Sequence, residues 1–403
     1  MLYYPNSLEA YRSDKFEPFA TQPKVGGVIT EQNGAWGYYS ATPVGSAGSA
    51  TDGGCQVLVQ GKTVVDITVG DAVQFNAHGI ELPVADRLPA TTSTFYDLAS
   101  ISKLFTAVTA LSLVADGDLA LDEPIGRILR QYRSGPKSKV TLRHLLSHTS
   151  GLASEWLGWR SGVAEHPHFD RDQLLANLLD AQLEAEPGSR NAYSCFGYNT
   201  VMALCESRTA KPWASLVQER VLAKLPTSGL TATPLVDNCA ATEFQPEYYR
   251  GMIRGIVSDE AAWSLTAKAA GPAGNSGMFA TANGLSVFAE ALRLGLPGIL
   301  PRELADEMHR DQLADILGPS STSELGFGQG LGPQIGQPEW MSVFGHQAFG
   351  HSGFTGTSLL VDQSVELSIV LLTNRVHPGR NGPEMRPLRN AVSQAVYASL
   401  ATA

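Results

Sequence analysis

Residues 99–115, ASISKLFTAVTALSLVA, are the stretch around which the fold of this 403-residue chain is organised. Apolar side chains recur there at helical spacing, and Asp116-Gly117 ends the run. Because the run is apolar almost all round, we predict a buried helix rather than a surface helix. Ser100 and Lys103 open this helix three residues apart, which puts both side chains on one face, about one turn apart.

Strand patterns lie on both sides of this helix. Residues 55–70 alternate apolar and polar side chains around Gly61-Lys62, which predicts a β-hairpin. In the later part of the chain the pattern predicts strands over 358–362 and 366–373, and helices over 278–295 and 387–400. Strands from both chain ends with helices between them indicate an α+β fold: one antiparallel sheet, flanked by helices, with an inserted, mostly helical lobe.

The same pattern predicts the domain organisation. Residues 1–50 read as an irregular N-terminal segment, and residues 118–262 as the helical lobe. Residues 51–117 and 263–403 are expected to form the sheet lobe together. We expect the active site between the two lobes.

Charge argues against two classes of partner. The formal net charge is −10 and the pI is about 5.4. Nucleic-acid binders need a concentrated basic face, and anionic lipid also attracts basic surfaces. We therefore expect no nucleic-acid partner and no membrane partner, but a small-molecule substrate.

The cysteines and the N-terminus exclude further classes. Four cysteines without a C-x-x-C, and no H-E-x-x-H, predict neither a disulfide framework nor a metal site, and we expect no cofactor. The N-terminal residues lack a basic segment followed by an apolar core, and the apolar run 104–115 is too short to span a bilayer. These features favour a cytoplasmic location.

Ser100 and Lys103 are the first candidates for chemistry. The first turn offers Ser100 free backbone N–H groups and the positive end of the helix dipole. A lysine on an apolar helix is costly unless it is paired or its pKa falls. The alternative is that Ser100 caps the helix and Lys103 extends to solvent. A second S-x-x-K, at 134–137, contains Gly and Pro that prevent a helix, so we expect no chemistry there.

Two later segments carry further candidates. Tyr193, in the stretch 191–198 (NAYSCFGY), can act as a general base toward a serine hydroxyl if its pKa is lowered. His351 and Gly353 lie just before a predicted strand, where the histidine can supply a donor or positive potential and the glycine lets a substrate approach the backbone. Taken singly, Tyr193 is typical of a core or turn aromatic, and His-Ser-Gly of an ordinary turn.

The order and spacing of the three segments resemble the serine β-lactamase/penicillin-binding-protein superfamily, in its class C-like branch. That branch includes family VIII carboxylesterases, DD-peptidases and biosynthetic transacylases. Its three elements, S-x-x-K, Y-x-N and K-T-G or H-x-G, stand here as Ser100 to Lys103, Tyr193 to Cys195 and His351 to Gly353. The flanking stretches 144–152 (HLLSHTSGL), 273–282 (AGNSGMFATA) and 371–378 (LLTNRVHP) are similar too.

The resemblance implies a role for each matching residue. Ser100 is expected to be the acylated nucleophile, Lys103 to lower the barrier to its deprotonation, and Tyr193 to be the partner base. The backbone N–H groups of Ser100 and Phe354 would form the oxyanion hole. His351 would hold a substrate carboxylate or tune Tyr193, and Ser352, Gly353 and Cys195 would contact the substrate.

Two departures from the family pattern bear on the substrate. Cys195 replaces an Asn that binds the substrate amide in β-lactamases and peptidases, and a thiol is a weak donor and poor acceptor. His351 replaces the usual Lys and is largely neutral at pH 7. Both changes favour ester cleavage or a specialised acyl transfer over lactam or peptidoglycan turnover.

Other residues are weaker candidates. Trp156 and Trp159 can wall a substrate pocket or simply pack a loop. His144 and His148 lie four apart but lack a third ligand, which favours packing or capping over metal.

The leading hypothesis is an enzyme that transfers an acyl group from an ester or amide, through acyl-Ser100, to water or an amine in small-molecule metabolism. The alternatives are a β-lactamase or DD-peptidase, and a catalytically silent ligand-binding relative.

Overall fold

The computed structural model describes residues 27–32, 35–40, 52–160, 170–248, 250–266 and 271–401. Most of the predicted irregular segment 1–50 lies outside these ranges. Two of its stretches form an antiparallel hairpin, β1 Gly27–Gln32 and β2 Ala35–Ser40, so the prediction was wrong for them. Both strands contain β-branched or aromatic residues, which favour extended backbone.

The remaining strands of the described residues are β3 Asp52–Val59, β4 Lys62–Val73, β5 Leu88–Pro89, β6 Tyr96–Asp97, β7 Leu230–Thr231, β8 Ala241–Gln245, β9 Gly251–Arg254, β10 Phe279–Ala280, β11 Gly328–Gln329, β12 Gln334–Ile335, β13 Phe349–Ser352, β14 Ser358–Asp362 and β15 Leu367–Thr373. The α-helices are α1 Ser102–Ala115, α2 Leu142–Leu146, α3 Arg171–Asp180, α4 Cys195–Thr209, α5 Trp213–Arg220, α6 Glu260–Leu265, α7 Ala282–Arg293, α8 Arg302–His309, α9 Leu313–Leu317, α10 Ser321–Leu325, α11 Pro338–Met341 and α12 Arg386–Leu400.

One antiparallel sheet is built from both ends of the chain, as predicted. Its strand order is β11-β12-β13-β14-β15-β3-β4-β5, and β15 pairs with β3 in the register Leu371↔Cys55. The hairpin β3–β4 turns at Gln60-Gly61, one residue earlier than predicted. Both turn residues have positive φ (52° and 73°), which is the backbone that two-residue hairpin turns require.

Both faces of the sheet are covered, which explains why β15 is almost continuously apolar. On one face, Leu359 and Val370 belong to the main core, which also holds α1 and α7. On the other face, Leu360 and Ile369 pack with α11 and α12 in a second cluster. The alternation along each strand follows the two-residue period of strand side chains.

Helix α1 lies at the centre of the main core. Every residue from Ser102 to Leu113 is buried, which confirms the buried helix predicted from the sequence. Stacking of Phe105 on Phe288 of α7, with ring centroids 4.0 Å apart, joins α1 to the helix that covers the sheet. On its other side α1 packs against α4 and α5. The nucleophile candidate at the start of α1 is thereby held by rigid neighbours.

The stretch 118–262 combines helices with short strands. Its strand β7 pairs with β10, which lies outside that stretch, and its core is continuous with that of the sheet. The bounds of the two lobes stay a prediction. Among the described residues, none of the helices has both the length and the apolar composition needed to cross a membrane.

Candidate active site

Ser100 stands in a tight turn, residues 99–101, that connects β6 to α1. The preceding Ala99 has φ +46°, a conformation that is strained for a residue with a side chain. Asp97 holds this turn, because one carboxylate oxygen accepts the Ala99 N–H (2.9 Å) and the other accepts the Ser258 N–H (2.8 Å). The strained backbone that presents Ser100 is thus fixed by a buried carboxylate, a role that sequence reasoning missed.

Lys103 lies beneath Ser100 and is completely buried (0% exposed). Its Nζ donates to Ser100 Oγ at 2.9 Å and to the Asn275 carbonyl at 3.2 Å. The alternative in which Lys103 reaches solvent is therefore wrong. The capping alternative is also wrong, because the Ser100 side chain makes no helix-capping bond in the structure.

The charge of Lys103 depends on its neighbours. Burial lowers the pKa of this amine, but Cys195 and Tyr193 raise it by more, so that the net shift of the Lys103 pKa is upward. The ammonium form of Lys103 is therefore favoured when either neighbour carries a negative charge. An ammonium at this place holds Ser100 Oγ and can stabilise negative charge on either neighbour.

Tyr193 lies directly before α4, with the Lys103 Nζ 4.9 Å from the centroid of its ring. Burial of the phenol raises its pKa to about 12, although Lys103 and Ser100 act in the opposite direction by charge and hydrogen bonding. The lowered pKa expected of a general base is therefore not found in the resting site. The residue as a whole is 36% exposed. The structure therefore brings Ser100, Lys103 and Tyr193 together, with a protonated phenol in the resting state.

His351 faces Tyr193 from strand β13, with ring centroids 5.9 Å apart. Its Nδ1 lies 2.8 Å from the Ser352 carbonyl, so Nδ1 carries the proton and Nε2 holds a lone pair. Burial, with a smaller effect of Lys103, lowers the pKa of His351 to about 3. A neutral ring without a free N–H disfavours the carboxylate-binding role, and the tuning of Tyr193 remains a prediction.

Gly353 begins the turn that carries Phe354, and this turn packs on the segment before Ser100. A Cβ at Gly353 would lie 2.1 Å from Thr357 Oγ1 and 2.5 Å from the Leu98 carbonyl. The glycine is thus required by packing within the chain, in addition to any approach of a substrate. Thr355 Oγ1 donates to the Asp97 carbonyl at 2.7 Å, which also ties the turn to the Ser100 segment. The two predicted oxyanion donors therefore lie on segments that are bonded to each other.

Arg389 of α12 supports the same turn from below. Its buried guanidinium donates to the carbonyls of Gly353 (2.8 Å) and Thr357 (2.9 Å). Sequence reasoning missed Arg389, because nothing in its neighbourhood along the chain distinguishes it from a surface arginine. Phe354 itself is half exposed and has the Arg375 guanidinium 5.1 Å from its ring centroid.

Cys195 is the first residue of α4 and is the one partly exposed cysteine of the four. Its N–H donates to the Ser154 carbonyl at 2.8 Å. Asn199, one turn further on, is buried and accepts the Asn275 N–H at 3.1 Å. Asn199 therefore supports the loop whose carbonyl binds Lys103, and it does not take the place of the missing amide at Cys195.

The two tryptophans are buried in the main core. Trp159 meets Tyr248 edge to face, with centroids 5.3 Å apart, and the Arg160 guanidinium lies 5.7 Å from its ring. Packing accounts for these contacts. A pocket wall made by Trp156 and Trp159 stays a prediction.

The histidine pair has other functions than metal binding. His144 completes a capping box with Thr141 at the start of α2, and α2 ends before His148. Among the residues that the structure describes, no group of three or more His, Cys, Asp or Glu side chains could hold a metal ion.

The second S-x-x-K stretch is not part of the site. Pro136–Lys139 forms a 3-10 turn rather than an α-helix. Lys137 is buried and donates to the carbonyls of Leu179 and Ala181, at the end of α3. This lysine closes a helix end, in contrast to Lys103.

Comparison with known proteins agrees with the resemblance seen in the three motifs. The Beta-lactamase family model matches residues 56–394. Esterase EstB of Burkholderia gladioli is 31% identical, over 80% of this chain and 88% of that protein. A putative D-alanyl-D-alanine carboxypeptidase of Escherichia coli (strain K12) is 27% identical, over 74% of this chain and 73% of that protein.

Two solved structures share the fold. EstCE1, described as a hydrolase with promiscuous acyltransferase activity, has a TM-score of 0.65 at 23% identity, covering 86% of this chain and 94% of that chain. A LovD6 mutant of simvastatin synthase (LovD) from Aspergillus terreus has a TM-score of 0.65 at 20% identity, covering 88% and 92%. The superfamily expected from the three motifs is confirmed.

Proposed function

Since the chain belongs to the Beta-lactamase family and is a serine hydrolase or acyltransferase of that superfamily, we propose that it cleaves small-molecule esters through an acyl-Ser100 intermediate. The acyl group then passes to water, or to an amine where one is bound. The observation that carries this proposal is the buried Lys103 ammonium 2.9 Å from Ser100 Oγ, beside the phenol of Tyr193.

Acylation begins when the phenol of Tyr193 has lost its proton to solvent. The phenolate, stabilised by the Lys103 ammonium, takes the proton of Ser100 as Oγ attacks the ester carbonyl carbon. General-base catalysis of this kind contributes about 10²–10⁴ in rate. The backbone N–H groups of Ser100 and Phe354 bind the developing oxyanion, and each such donor is worth about 3 kcal/mol of the barrier.

The intermediate collapses when the C–O bond of the leaving alcohol breaks, and Tyr193 returns its proton to that oxygen. Water or an amine then attacks the acyl-Ser100 carbonyl, with Tyr193 again accepting the proton. The bond between the acyl carbon and Ser100 Oγ breaks, Tyr193 returns this proton to Oγ, and the acid or amide leaves. The partial exposure of Tyr193 and of Phe354 supports access of solvent to this intermediate. We therefore propose hydrolysis as the main outcome without added amine.

Two side chains support esters over lactams and cell-wall peptides. The partly exposed thiol of Cys195 cannot replace the two-way hydrogen bonding of an amide. The neutral His351 offers no cation to a substrate carboxylate. An ester without an anionic group next to the acyl carbon needs neither an amide partner nor a cation in the site. Such a substrate is consistent with a role in small-molecule metabolism.

The proposal is tested by intact-protein mass spectrometry after mixing with p-nitrophenyl butyrate. We expect a butyryl adduct on the wild type and none on Ser100→Ala. Ser134→Ala, the matched change in the second S-x-x-K stretch, should acylate as the wild type does. An adduct on Ser100→Ala, or turnover unaffected by this change, would refute the assignment.

The acceptor is tested in the same reaction with and without a panel of primary amines. Acid as the product in both cases supports the esterase. Amide as the main product in dilute amine would instead identify the enzyme as a transacylase, because the site must then exclude water in favour of the amine.

A further inference from the structure

His148 has an unusual backbone for a buried residue. It follows directly on the end of α2, it is 2% exposed, and its φ is +58°. Residues other than glycine adopt this region rarely, and such positions persist when surrounding contacts hold them. Neither capping nor metal binding accounts for this conformation, so the contacts of His148 are informative.

Those contacts surround Tyr193. The His148 carbonyl accepts the N–H of Ala192 at 2.8 Å, and its Nδ1 accepts the N–H of Ser194 at 3.0 Å. The residues before and after Tyr193 are thus both hydrogen-bonded to His148, one to its backbone carbonyl and the other to its side chain. The imidazole ring also lies against the phenol ring, with centroids 4.6 Å apart.

The segment around His148 adds further bonds to the same loop. Asn191 Nδ2 donates to the Ser147 carbonyl at 3.1 Å, and the Gly188 N–H donates to the Thr149 carbonyl at 2.7 Å. Tyr193 itself precedes the first turn of α4 and lies outside any helix or strand. Its position therefore depends on these bonds more than on regular secondary structure.

The hydrogen bond to Ser194 also determines the tautomer of His148. Because Nδ1 accepts, the neutral ring carries its proton on Nε2, which has no hydrogen-bond partner among the described residues. Burial, Lys103 and His351 all lower the pKa of His148, so the ring is neutral. Lys103 then remains the cation beside the phenol.

We propose that His148 is the positioning residue for Tyr193: its carbonyl, its Nδ1 and its ring together hold the phenol toward Ser100 and Lys103. This inference rests on the proposed function, in which Tyr193 is the base. Misplacement of a catalytic group by about 1 Å costs about 10² in rate. The strained backbone of His148 thus has a function, because it positions the Tyr193 side chain, which no helix or strand holds.

Two variants separate the hydrogen bond from the backbone strain. His148→Gly removes the ring and Nδ1 but fits the positive φ. His148→Asn keeps an acceptor, Oδ1, at the same number of bonds from the backbone as Nδ1, and Asn also tolerates this region. We expect His148→Gly to lower kcat/KM for p-nitrophenyl butyrate by about 10², with little change in KM. His148→Asn should recover most of that loss.

The decisive measurement repeats His148→Gly in a Tyr193→Phe background. If His148 acts through Tyr193, the change should cause little further loss there, since the group that it aims is absent. His144→Asn is the matched control for a histidine lost four residues earlier, and it should leave kcat/KM unchanged in both backgrounds.

The same full loss in both backgrounds would overturn the proposal, as would wild-type kcat/KM in a folded His148→Gly protein. A thermal melt shows whether each variant is folded. If His148→Gly does not fold, His148→Asn is assayed alone, and a loss of about 10² in kcat/KM in that folded protein, which keeps the acceptor, would overturn the proposal. The proposed function fails separately, if Ser100→Ala or Tyr193→Phe retains wild-type turnover.

Discussion

Lys103→Met should separate the stability of this protein from its activity. The change removes a fully buried ammonium whose two hydrogen bonds go to neutral oxygens, Ser100 Oγ and the Asn275 carbonyl. Methionine has a similar length and no charge, so it fits the apolar helix that surrounds the position.

The expected change in stability is small because two effects oppose each other. Burying an ammonium costs several kcal/mol even after relaxation of the protein. The two hydrogen bonds made by a charged donor return about 1.5–3 kcal/mol each. These contributions cancel to within about 2 kcal/mol, and we expect the unfolding free energy of Lys103→Met to lie within about 2 kcal/mol of the wild-type value.

Activity should fall steeply in the same variant. Without the ammonium, Ser100 Oγ loses its donor and the Tyr193 phenolate loses its cation, so we expect kcat/KM to fall by about 10³–10⁴. Lys137→Met is the matched control, a buried lysine of the second S-x-x-K stretch that donates to two carbonyls at the end of α3. The same opposing effects apply to it, so its stability should also change by less than about 2 kcal/mol, and its turnover should be unchanged.

Urea unfolding followed by circular dichroism, together with initial rates of ester hydrolysis, measures both quantities on one preparation. A loss of stability well above 2 kcal/mol in Lys103→Met would refute the reasoning, because the cost of burial and the gain from the two hydrogen bonds would then not cancel. Retained activity in a folded Lys103→Met protein would refute the role of Lys103 in the mechanism.

Three further outcomes are expected. Burial raises the pKa of Tyr193 to about 12, so the active phenolate is lost as pH falls. The rate of single-turnover acylation should therefore rise with pH throughout the range from about 6 to 9. A plateau of this rate near neutral pH would contradict Tyr193 as the base. In Gly353→Ala the new Cβ would lie 2.5 Å from the Leu98 carbonyl, so both the melting temperature and kcat should fall. The control Gly379→Ala has nothing within 4 Å of the new Cβ and should resemble the wild type in both measurements. Maleimide should modify native protein at Cys195 and block acylation, as peptide mapping and the adduct assay would reveal; full activity of protein labelled there would place the thiol away from the acyl group.

The elements that were predicted well are those with a local signature. Helix α1 was found from its apolar spacing and the Asp116-Gly117 end, and the strands β14 and β15 from short apolar runs between turn residues. The hairpin turn was misplaced by one residue, because Gln60 shares the positive φ of Gly61 and Lys62 already belongs to β4. Periodicity indicates that an element exists more firmly than it indicates its ends.

The support of the site could not be read in the same way. Asp97 holds the turn at residues 99–101, and His148 binds the residue after Tyr193. The Asn275 carbonyl binds Lys103, and Arg389 binds the turn that begins at Gly353. These residues are separated by long stretches of chain, and each acts through one or two hydrogen bonds that have no periodic signature. His148 and Asn275 lie in stretches that resemble the family, but their contacts become visible once the chain is folded.

The sequence by itself determined the order of the three motifs, the residues Ser100, Lys103 and Tyr193, and the sheet built from both chain ends. The tertiary structure decided the protonation of these groups. It lowers the pKa of His351 and raises that of Lys103, although both side chains are buried in the same site. Burial penalises the charged form of each, and the outcome depends on which oxygen, sulfur or nitrogen atoms lie beside it. Such neighbours come from distant parts of the chain, so their effect exists only in the folded protein.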